Sequence, residues 1–159
     1  MIRLLVLLLP LLRATAGSTV TVQPDSFSEY YPWPKTSEFT VTIPCSVTDP
    51  NFYLQILQRD STNREKPNTF VYMSFSSSQL IISCDWRLNL HTLPARHCGQ
   101  DTESEYKIRW TSEEIVAAHQ GQVIAQQDGR ECPLEHDTWR LLYVSGSGSI
   151  SVTYETDQG

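Results

Sequence analysis

The serine- and glycine-rich run Ser145-Gly146-Ser147-Gly148-Ser149 is the first candidate for chemistry in this sequence. Such residues can cradle a phosphate or carry a nucleophilic serine, but both motifs have strict spacing. A phosphate-binding loop reads Gly-x4-Gly-Lys-Ser/Thr, and a hydrolase elbow reads Gly-x-Ser-x-Gly before a helix. The run matches neither, and the residues from Ile150 to Tyr154 alternate between apolar and polar types, which is typical of a strand. We therefore predict a turn here, joining two strands into the last hairpin of the fold.

Acid–base chemistry would need carboxylates or histidines at defined distances. The residues available for it are Glu103, Glu105, Glu113, Glu114, His136 and Asp137. Glycoside cleavage requires two carboxylates about 5–10 Å apart across a cleft, which no spacing in this sequence establishes. His136 and Asp137 are adjacent, and neighbours on a strand point to opposite faces. No catalytic residue is predicted, and a small secreted hydrolase stays the alternative function.

Four cysteines, Cys45, Cys84, Cys98 and Cys132, could form disulfides or hold a metal. An even number of cysteines in an oxidising compartment indicates two disulfides, with three possible pairings. We favour Cys84–Cys98, which would close a polar excursion, together with Cys45–Cys132. Zinc sites usually contain close pairs such as Cys-x2-Cys, and these are absent here. Neither a metal nor a cofactor is predicted.

Exposed aromatic residues are the main candidates for ligand binding. Tyr30, Tyr31 and Trp33 cluster in a proline-rich stretch, and aromatic rings stack on sugars or anchor protein partners. The alternative is that this stretch packs on the fold and its aromatic rings belong to the core. Arg87 and His91 are added as binding residues because the 87–97 segment is predicted to be a loop, where recognition residues concentrate.

The first sixteen residues have the features of a secretory signal peptide. A basic start is followed by the apolar run Leu4 to Leu12 and by Ala14-Thr15-Ala16, after which cleavage is expected. The run is much shorter than the roughly 20 residues of a membrane-spanning helix. Removing Arg3 and Arg13 with this leader leaves 10 basic and 18 acidic residues, a formal charge of −8. We predict a secreted, extracellular protein without a membrane span, whose acidity disfavours nucleic acid as a partner.

A two-residue period of apolar residues dominates the rest of the chain and predicts strands. It is found in STVTV, EFTVTIPCSV, FYLQILQ, TFVYMSF, QLIISCDW, EYKIRWT and around the Gly/Ser run. Asp128-Gly129 is a strong signal for a hairpin turn. The 112–121 segment is compatible with a short helix or a strand, and strand is favoured because its neighbours are all β. We predict an all-β fold, an antiparallel β-sandwich or jelly-roll-like barrel of eight to ten short strands with at most one short helix.

Three regions follow from these patterns. Residues 1–16 form the leader, residues 17–37 an irregular, aromatic-rich arm with a possible first strand, and residues 38–159 the sandwich domain.

The order of three strand-rich segments, EFTVTIPCSVTDPNFYLQI, EYKIRWTSEEIVAAHQGQVIAQQ and EHDTWRLLYVSGSGSISV, resembles the farnesoic acid O-methyltransferase-like domains. These are secreted β-sandwiches of arthropods and other invertebrates. The resemblance covers about residues 38–155 and is best from Trp139 to Val152, where a tryptophan strand, a glycine turn and Ile-x-Val recur. It implies a secreted sandwich. The enzymatic name is not carried over, because no glycine turn opens a cofactor-binding helix.

These observations predict a secreted, disulfide-stabilised module that binds an extracellular carbohydrate or protein. Alternatives to that function are the hydrolase named above and a secreted modulator or structural protein that acts on host or matrix proteins.

Overall fold

A computed structural model describes residues 17–59, 65–84, 87–93, 98, 102–132 and 138–156. The predicted leader, residues 1–16, and the candidates His136 and Asp137 lie outside the described residues. The strands are β1 (Gly17–Val22), β2 (Ser26–Phe27), β3 (Tyr31–Pro32), β4 (Glu38–Pro44), β5 (Asn51–Arg59), β6 (Glu65–Ser74), β7 (Gln79–Cys84), β8 (Arg87–Thr92), β9 (Glu103–Trp110), β10 (Glu114–His119), β11 (Gln122–Asp128), β12 (Thr138–Ser145) and β13 (Ile150–Glu155).

The strands form two antiparallel sheets that pack as a sandwich. The first sheet has the order β1-β13-β4-β9-β10-β11, and the second has β2-β12-β5-β6-β7-β8, with β3 also pairing with β12. The predicted all-β sandwich is confirmed. The thirteen strands of the described residues exceed the eight to ten predicted, partly because β2 and β3 contain only two residues each. Strand β10 shows that the 112–121 segment is extended, as favoured. No helix among the described residues is long and apolar enough to cross a membrane.

Alternating residues of both sheets fill the core. Phe39 on β4, Trp110 on β9 and Trp139 on β12 are fully buried. The ring centroids of Trp139 lie 4.9 Å from Phe39 and 4.8 Å from Tyr154, so this side chain of the second sheet packs directly on the first sheet. Its indole nitrogen donates a hydrogen bond of 3.0 Å to the carbonyl oxygen of Pro32. Burial of large apolar side chains, at about 25 cal/mol per Å², is the main stabilising term.

The Gly/Ser run is not a hairpin turn, so that prediction is wrong. Strand β12 before it belongs to the second sheet and β13 after it to the first, and the run carries the chain between the sheets. The Ser147 hydroxyl accepts a hydrogen bond of 2.8 Å from the amide of Thr48 and so ties the connection to the loop after β4. Alternation correctly predicted a strand on each side, but the period alone does not say which sheet a strand joins.

The hairpin predicted at Asp128-Gly129 is also wrong. Strand β11 pairs with β10 through Gln120 and Gly121, whose φ angles of 48° and 80° suit a tight hairpin turn. After Asp128 the chain enters a 3-10 turn, Gly129–Glu131, and the Asp128 carboxylate accepts a hydrogen bond of 2.9 Å from the amide of Arg130. Asp-Gly therefore caps a turn here.

Glycine is required at position 129 because the backbone of Glu113 and Glu114 passes very close to it. Its amide donates a hydrogen bond of 2.9 Å to the carbonyl oxygen of Glu113. A Cβ atom at this position would lie 2.7 Å from the amide nitrogen of Glu114 and 2.9 Å from the carbonyl carbon of Glu113. Both atoms belong to the backbone entering β10, which cannot yield as a flexible side chain would.

The four cysteines form two disulfides, but the favoured pairing is wrong. The bonds are Cys45–Cys98 and Cys84–Cys132, with Cα atoms 5.6 Å and 5.5 Å apart. Cys84 ends β7 with its side chain directed into the sandwich, and Cys132 follows the 3-10 turn after β11. Cys84–Cys132 therefore joins the second sheet to the chain that leaves the first. Two disulfides are typical of extracellular proteins.

We expect Gly129→Ala to lower the free energy of unfolding by about 1–3 kcal/mol, because the added methyl group overpacks against rigid backbone. Gly17→Ala is the matched control, since its Cβ would lie at ordinary contact distances, 3.5 Å from Thr153 Cγ2 and 4.0 Å from the carbonyl oxygen of Tyr154. Urea denaturation of both variants measures the difference. Equal stabilities would show that the backbone around Gly129 adjusts without cost.

We also expect a tryptic digest without reduction to show which cysteines are joined. Trypsin releases each cysteine in a separate peptide, covering residues 36–59, 65–87, 97–107 and 131–140. Mass spectrometry should find 36–59 linked to 97–107 and 65–87 linked to 131–140. A bond between 65–87 and 97–107 would instead support the Cys84–Cys98 pairing favoured from the sequence.

Candidate functional site

The outer face of the first sheet is polar. Thr19, Thr153, Thr40 and Lys107 are successive cross-strand partners on β1, β13, β4 and β9. The hydroxyls of Thr19 and Thr153 are 3.1 Å apart. The Lys107 amine lies 4.0 Å from a carboxylate oxygen of Glu38 and 3.9 Å from one of Glu105, and the Lys107 side chain is half exposed. Such hydroxyls and charges are readily hydrated, so this face is a normal solvent-facing surface.

The outer face of the second sheet carries a line of apolar side chains across its whole width. One row of directly opposed residues crosses six strands, and we call it the apolar row. Its members are Phe27, Leu142, Tyr53, Tyr72, Ile81 and Leu90, on β2, β12, β5, β6, β7 and β8. The end members, Phe27 and Leu90, are 67% and 65% exposed, and the inner members are half-buried by their neighbours. With strands about 4.8 Å apart, the row is about 24 Å long.

The second outward row, on one side of the apolar row, extends the patch. It consists of Arg140, Gln55, Phe70, Ser83 and Leu88 on β12, β5, β6, β7 and β8. The Phe70 ring packs edge-on to Tyr53, with centroids 5.2 Å apart, and Leu88 is 59% exposed. Phe70 and Leu88, on the two sides of the buried Ser83, thus extend the apolar row into a wider patch.

The two tyrosines at the middle of the apolar row pack against each other. The rings of Tyr53 and Tyr72 are stacked, with centroids 4.2 Å apart and an interplanar angle of 21°. Burial raises the pKa of the Tyr53 hydroxyl, and the neighbouring Tyr72 raises it further. Tyr53 therefore stays neutral at physiological pH and adds no charge to the patch.

One cation, Arg140, lies beside the β2 end of the apolar row. Its guanidinium carbon is 5.3 Å from the ring centroid of Phe27 and 4.7 Å from that of Tyr30. Its Nε donates a hydrogen bond of 2.7 Å to Oε1 of Gln55. Cation–π contacts at exposed sites contribute about 0.5–1 kcal/mol each, so two rings and one amide hold this side chain in place.

Of the predicted site residues, only Tyr30 lies in this patch. The Tyr31 ring packs on Trp139 and Tyr154 at 5.4 and 5.9 Å, so it contributes to the core. Trp33 packs edge-on to Phe39 at 5.4 Å and donates a hydrogen bond of 3.0 Å to the Ser37 hydroxyl.

Arg87 and His91 were predicted to lie on a loop, and that prediction is wrong. Both lie on β8, an edge strand of the second sheet. Arg87 is exposed, whereas His91 is half-buried opposite the core residue Leu80. Ligand contact by the five predicted residues stays a prediction.

Sequence reasoning missed most of the patch, although a signal was present. Phe70 and Tyr72 alternate with the inward residues Val71 and Met73, so β6 is apolar on both faces. The pattern RLNLHT of β8 likewise places leucines on the side away from the core. A strand that is apolar on both faces needs other protein segments to cover each face. No described element packs on the outward face of β6.

A serine–histidine pair occurs elsewhere, but its serine is inaccessible. Ser104 Oγ and His119 Nε2 are 2.6 Å apart, and the His119 ring stacks on Tyr106 with centroids 4.4 Å apart. Ser104 is fully buried, so its hydroxyl cannot reach a substrate. Burial raises the pKa of Tyr106 to about 12, so its hydroxyl stays protonated at physiological pH. We interpret it as a polar contact between β9 and β10 that holds the strands together.

The carboxylates near β10 and β11 are already engaged. Glu114 forms an ion pair with Arg109 and accepts a hydrogen bond of 3.2 Å from Gln126. Asp128 accepts hydrogen bonds from Arg130, which lower its pKa to about 2 and keep it ionised. Among the described residues, no group of three or more His, Cys, Asp or Glu side chains could hold a metal ion.

We expect Trp33→Ala to lower the free energy of unfolding by about 2 kcal/mol, because it removes a half-buried ring from Phe39. Tyr30→Ala removes an exposed ring from the same segment. It should lower the free energy of unfolding by less than about 1 kcal/mol. Thermal and urea unfolding compare the two. A stability loss for Tyr30→Ala as large as that for Trp33→Ala would contradict this division between core and surface.

Comparison with known proteins identifies the fold and nothing finer. No protein-family model and no curated protein matches the sequence. Among solved structures, an exo-inulinase from Aspergillus awamori superposes with a TM-score of 0.55 at 13% identity, over 91% of this chain and 29% of that one. A β-fructofuranosidase from Aspergillus kawachii gives 0.54 at 11% identity, over 92% and 28%. A galectin from Caenorhabditis elegans gives 0.51 at 12% identity, over 86% and 95%.

The chain thus spans less than a third of the two fungal enzymes and nearly the whole galectin. At such low identity these likenesses show a β-sandwich alone. The resemblance to farnesoic acid O-methyltransferase-like domains is not tested by them and stays a prediction.

Proposed function

We propose that this chain is a secreted binding module that docks an extracellular protein along the apolar row of its second sheet. The observation that carries the proposal is the unbroken row of apolar side chains from Phe27 to Leu90, which faces solvent across six strands. The predicted leader and the two disulfides support the extracellular setting.

The size of the patch suits a protein partner. Soluble proteins rarely expose large contiguous apolar patches, and those that exist commonly mark interaction sites. A standard protein interface buries about 800 Å² per partner, which corresponds to a surface roughly 28 Å across. The apolar row, at about 24 Å, spans most of such a distance. Covering it would recover about 25 cal/mol for each Å² removed from water.

The chemistry of the patch also favours a protein over a carbohydrate. A sugar ring stacks on the open face of an aromatic ring. Because Tyr53 and Tyr72 are stacked, each covers one face of the other's ring. The other members are mainly aliphatic, and they offer no hydrogen bonds to hydroxyl groups. Apolar and aromatic side chains surrounded by few polar groups are instead typical of the core of a protein interface.

Carbohydrate binding is a second candidate function, at a different place. A depression of about 540 Å³ beside β10 and β11 is lined by Glu113, Glu114, Gln126, Gln127 and Asp128. Glu114 and Asp128 are paired with arginines, and it is the Glu113 carboxylate and the two glutamine amides that can hydrogen-bond to sugar hydroxyls. Two of the structural neighbours are named for inulin and fructofuranosides, which supports sugar as a ligand class for the fold.

A panel of purified extracellular protein domains, screened beside a glycan array, tests the proposal. The protein is collected from the culture medium of cells that express the whole chain, which also tests secretion. We expect a protein ligand whose affinity falls about fivefold or more in Phe27→Ala and in Leu90→Ala, since each change removes an exposed anchor without disturbing the core. The matched control is Thr40→Ala with Thr153→Ala on the first sheet, which should leave affinity unchanged.

Four outcomes would contradict the proposal. The first is a screen without any protein ligand, and the second is a protein ligand that binds equally well to the row variants and the wild type. Glycan ligands alone, lost in Gln126→Ala but kept in Leu90→Ala, would move the function to the depression on the first sheet. A stable homodimer in analytical ultracentrifugation that Leu90→Lys dissociates would show that a second copy covers the row.

A further inference from the structure

Arg140 is the one charged side chain in the apolar row and the second outward row beside it. The ten other members of these rows are apolar or neutral. The chain as a whole is acidic, with a formal charge of −6. A positive charge on the apolar face of an acidic chain is a specific chemical feature of that face.

The guanidinium of Arg140 is held in place but not neutralised. Phe27 and Tyr30 contact it, and Gln55 accepts the hydrogen bond from its Nε. Within the described part of the chain, its two terminal amino groups have no hydrogen-bond partner and no carboxylate. Two other arginines contrast with it, since Arg109 pairs with Glu114 and Arg130 with Asp128.

A guanidinium with free terminal amino groups is shaped for a carboxylate. It offers two parallel N–H donors to the two oxygens, which gives direction as well as charge. Aromatic rings at 4.7 and 5.3 Å limit the conformations of the side chain, so less entropy is lost when an anion binds. An ammonium group on a flexible lysine would provide the charge without this geometry.

We infer that Arg140 is a specificity-determining residue of the docking face, and that the partner presents an aspartate or glutamate carboxylate beside apolar side chains. The carboxylate pairs with the terminal amino groups of Arg140, while the adjoining apolar groups contact Phe27 and Leu142. This inference rests on the proposed function, because it identifies the chemistry of the same face.

Two small probes of the same shape, one a carboxylate and one a neutral amide, test the inference without the natural partner. They are 3-phenylpropionate and its neutral analogue 3-phenylpropionamide, titrated into the whole protein and followed by NMR. We expect both probes to shift signals of Leu142 and Tyr53, and only the carboxylate to shift the Nε–H signal of Arg140. The carboxylate should bind about threefold to fivefold more tightly, the range for an exposed ion pair of up to about 1 kcal/mol.

Variants of Arg140 separate charge from geometry. Arg140→Gln should abolish the preference for the carboxylate, and Arg140→Lys should restore only part of it because the planar fork is missing. Arg109→Gln makes the same change of charge on the first sheet and should leave the preference intact. Thermal unfolding of each variant identifies any that fails to fold, and the shift of the Arg140 Nε–H signal in the wild type stands independently of them.

The outcomes distinguish the inference from the function on which it rests. Equal binding of both probes to the apolar row, unaffected by Arg140→Gln, would overturn the carboxylate inference and leave the docking face standing. No shift of the row with either probe would contradict the docking face itself. Glucuronate that binds as tightly as 3-phenylpropionate would show that an acidic sugar fits Arg140, and would overturn the assignment to a protein carboxylate.

Discussion

Burial of Trp139 between the sheets determines where the rest of strand β12 points. Its ring packs on Phe39 and Tyr154 of the first sheet, and successive residues of a strand point to opposite faces. Because Trp139 is directed into the sandwich, Arg140 must face outward. A shift of pairing by one residue would exchange these positions, burying a guanidinium and exposing an indole. The core therefore specifies the register, and the register in turn places the charge beside Phe27.

The same constraint explains why the strands were predictable and their partners were not. The alternation of Trp139, Leu141 and Tyr143 correctly predicts β12, and Ile150, Val152 and Tyr154 correctly predict β13. Two strands with a short polar connection are usually a hairpin, but here they lie in opposite sheets. Burial of one face is satisfied in either sheet, so the local pattern is the same for both arrangements. The cysteines follow the same logic, since Cys84 bonds to a residue that only the topology brings near.

The candidate site was less predictable than the fold because its residues are brought together by pairing. Phe27 and Leu90 are far apart in sequence, and four intervening strands connect them into one row. The predicted cluster of Tyr30, Tyr31 and Trp33 relied on proximity along the chain, and the structure separates its members. Tyr31 and Trp33 pack on core residues because the arm pairs with β12 through β3. The apolar residues on both faces of β6 and the outward leucines of β8 were the signals in the sequence that the outer face is unusual.

An exposed apolar face also raises the question of whether copies of this chain would associate through it. Arg140 gives a physical answer, because two such faces brought together add a second guanidinium to the same interface and no carboxylate from either row. Burying like charges without a counter-ion costs free energy, whereas a partner that carries a carboxylate relieves that cost. In the proposed docking, one residue thus favours an acidic partner and disfavours the second copy, and specificity arises from the difference between the two. The rings of Phe27 and Tyr30 matter to both effects, since they keep the charge at the surface of the patch.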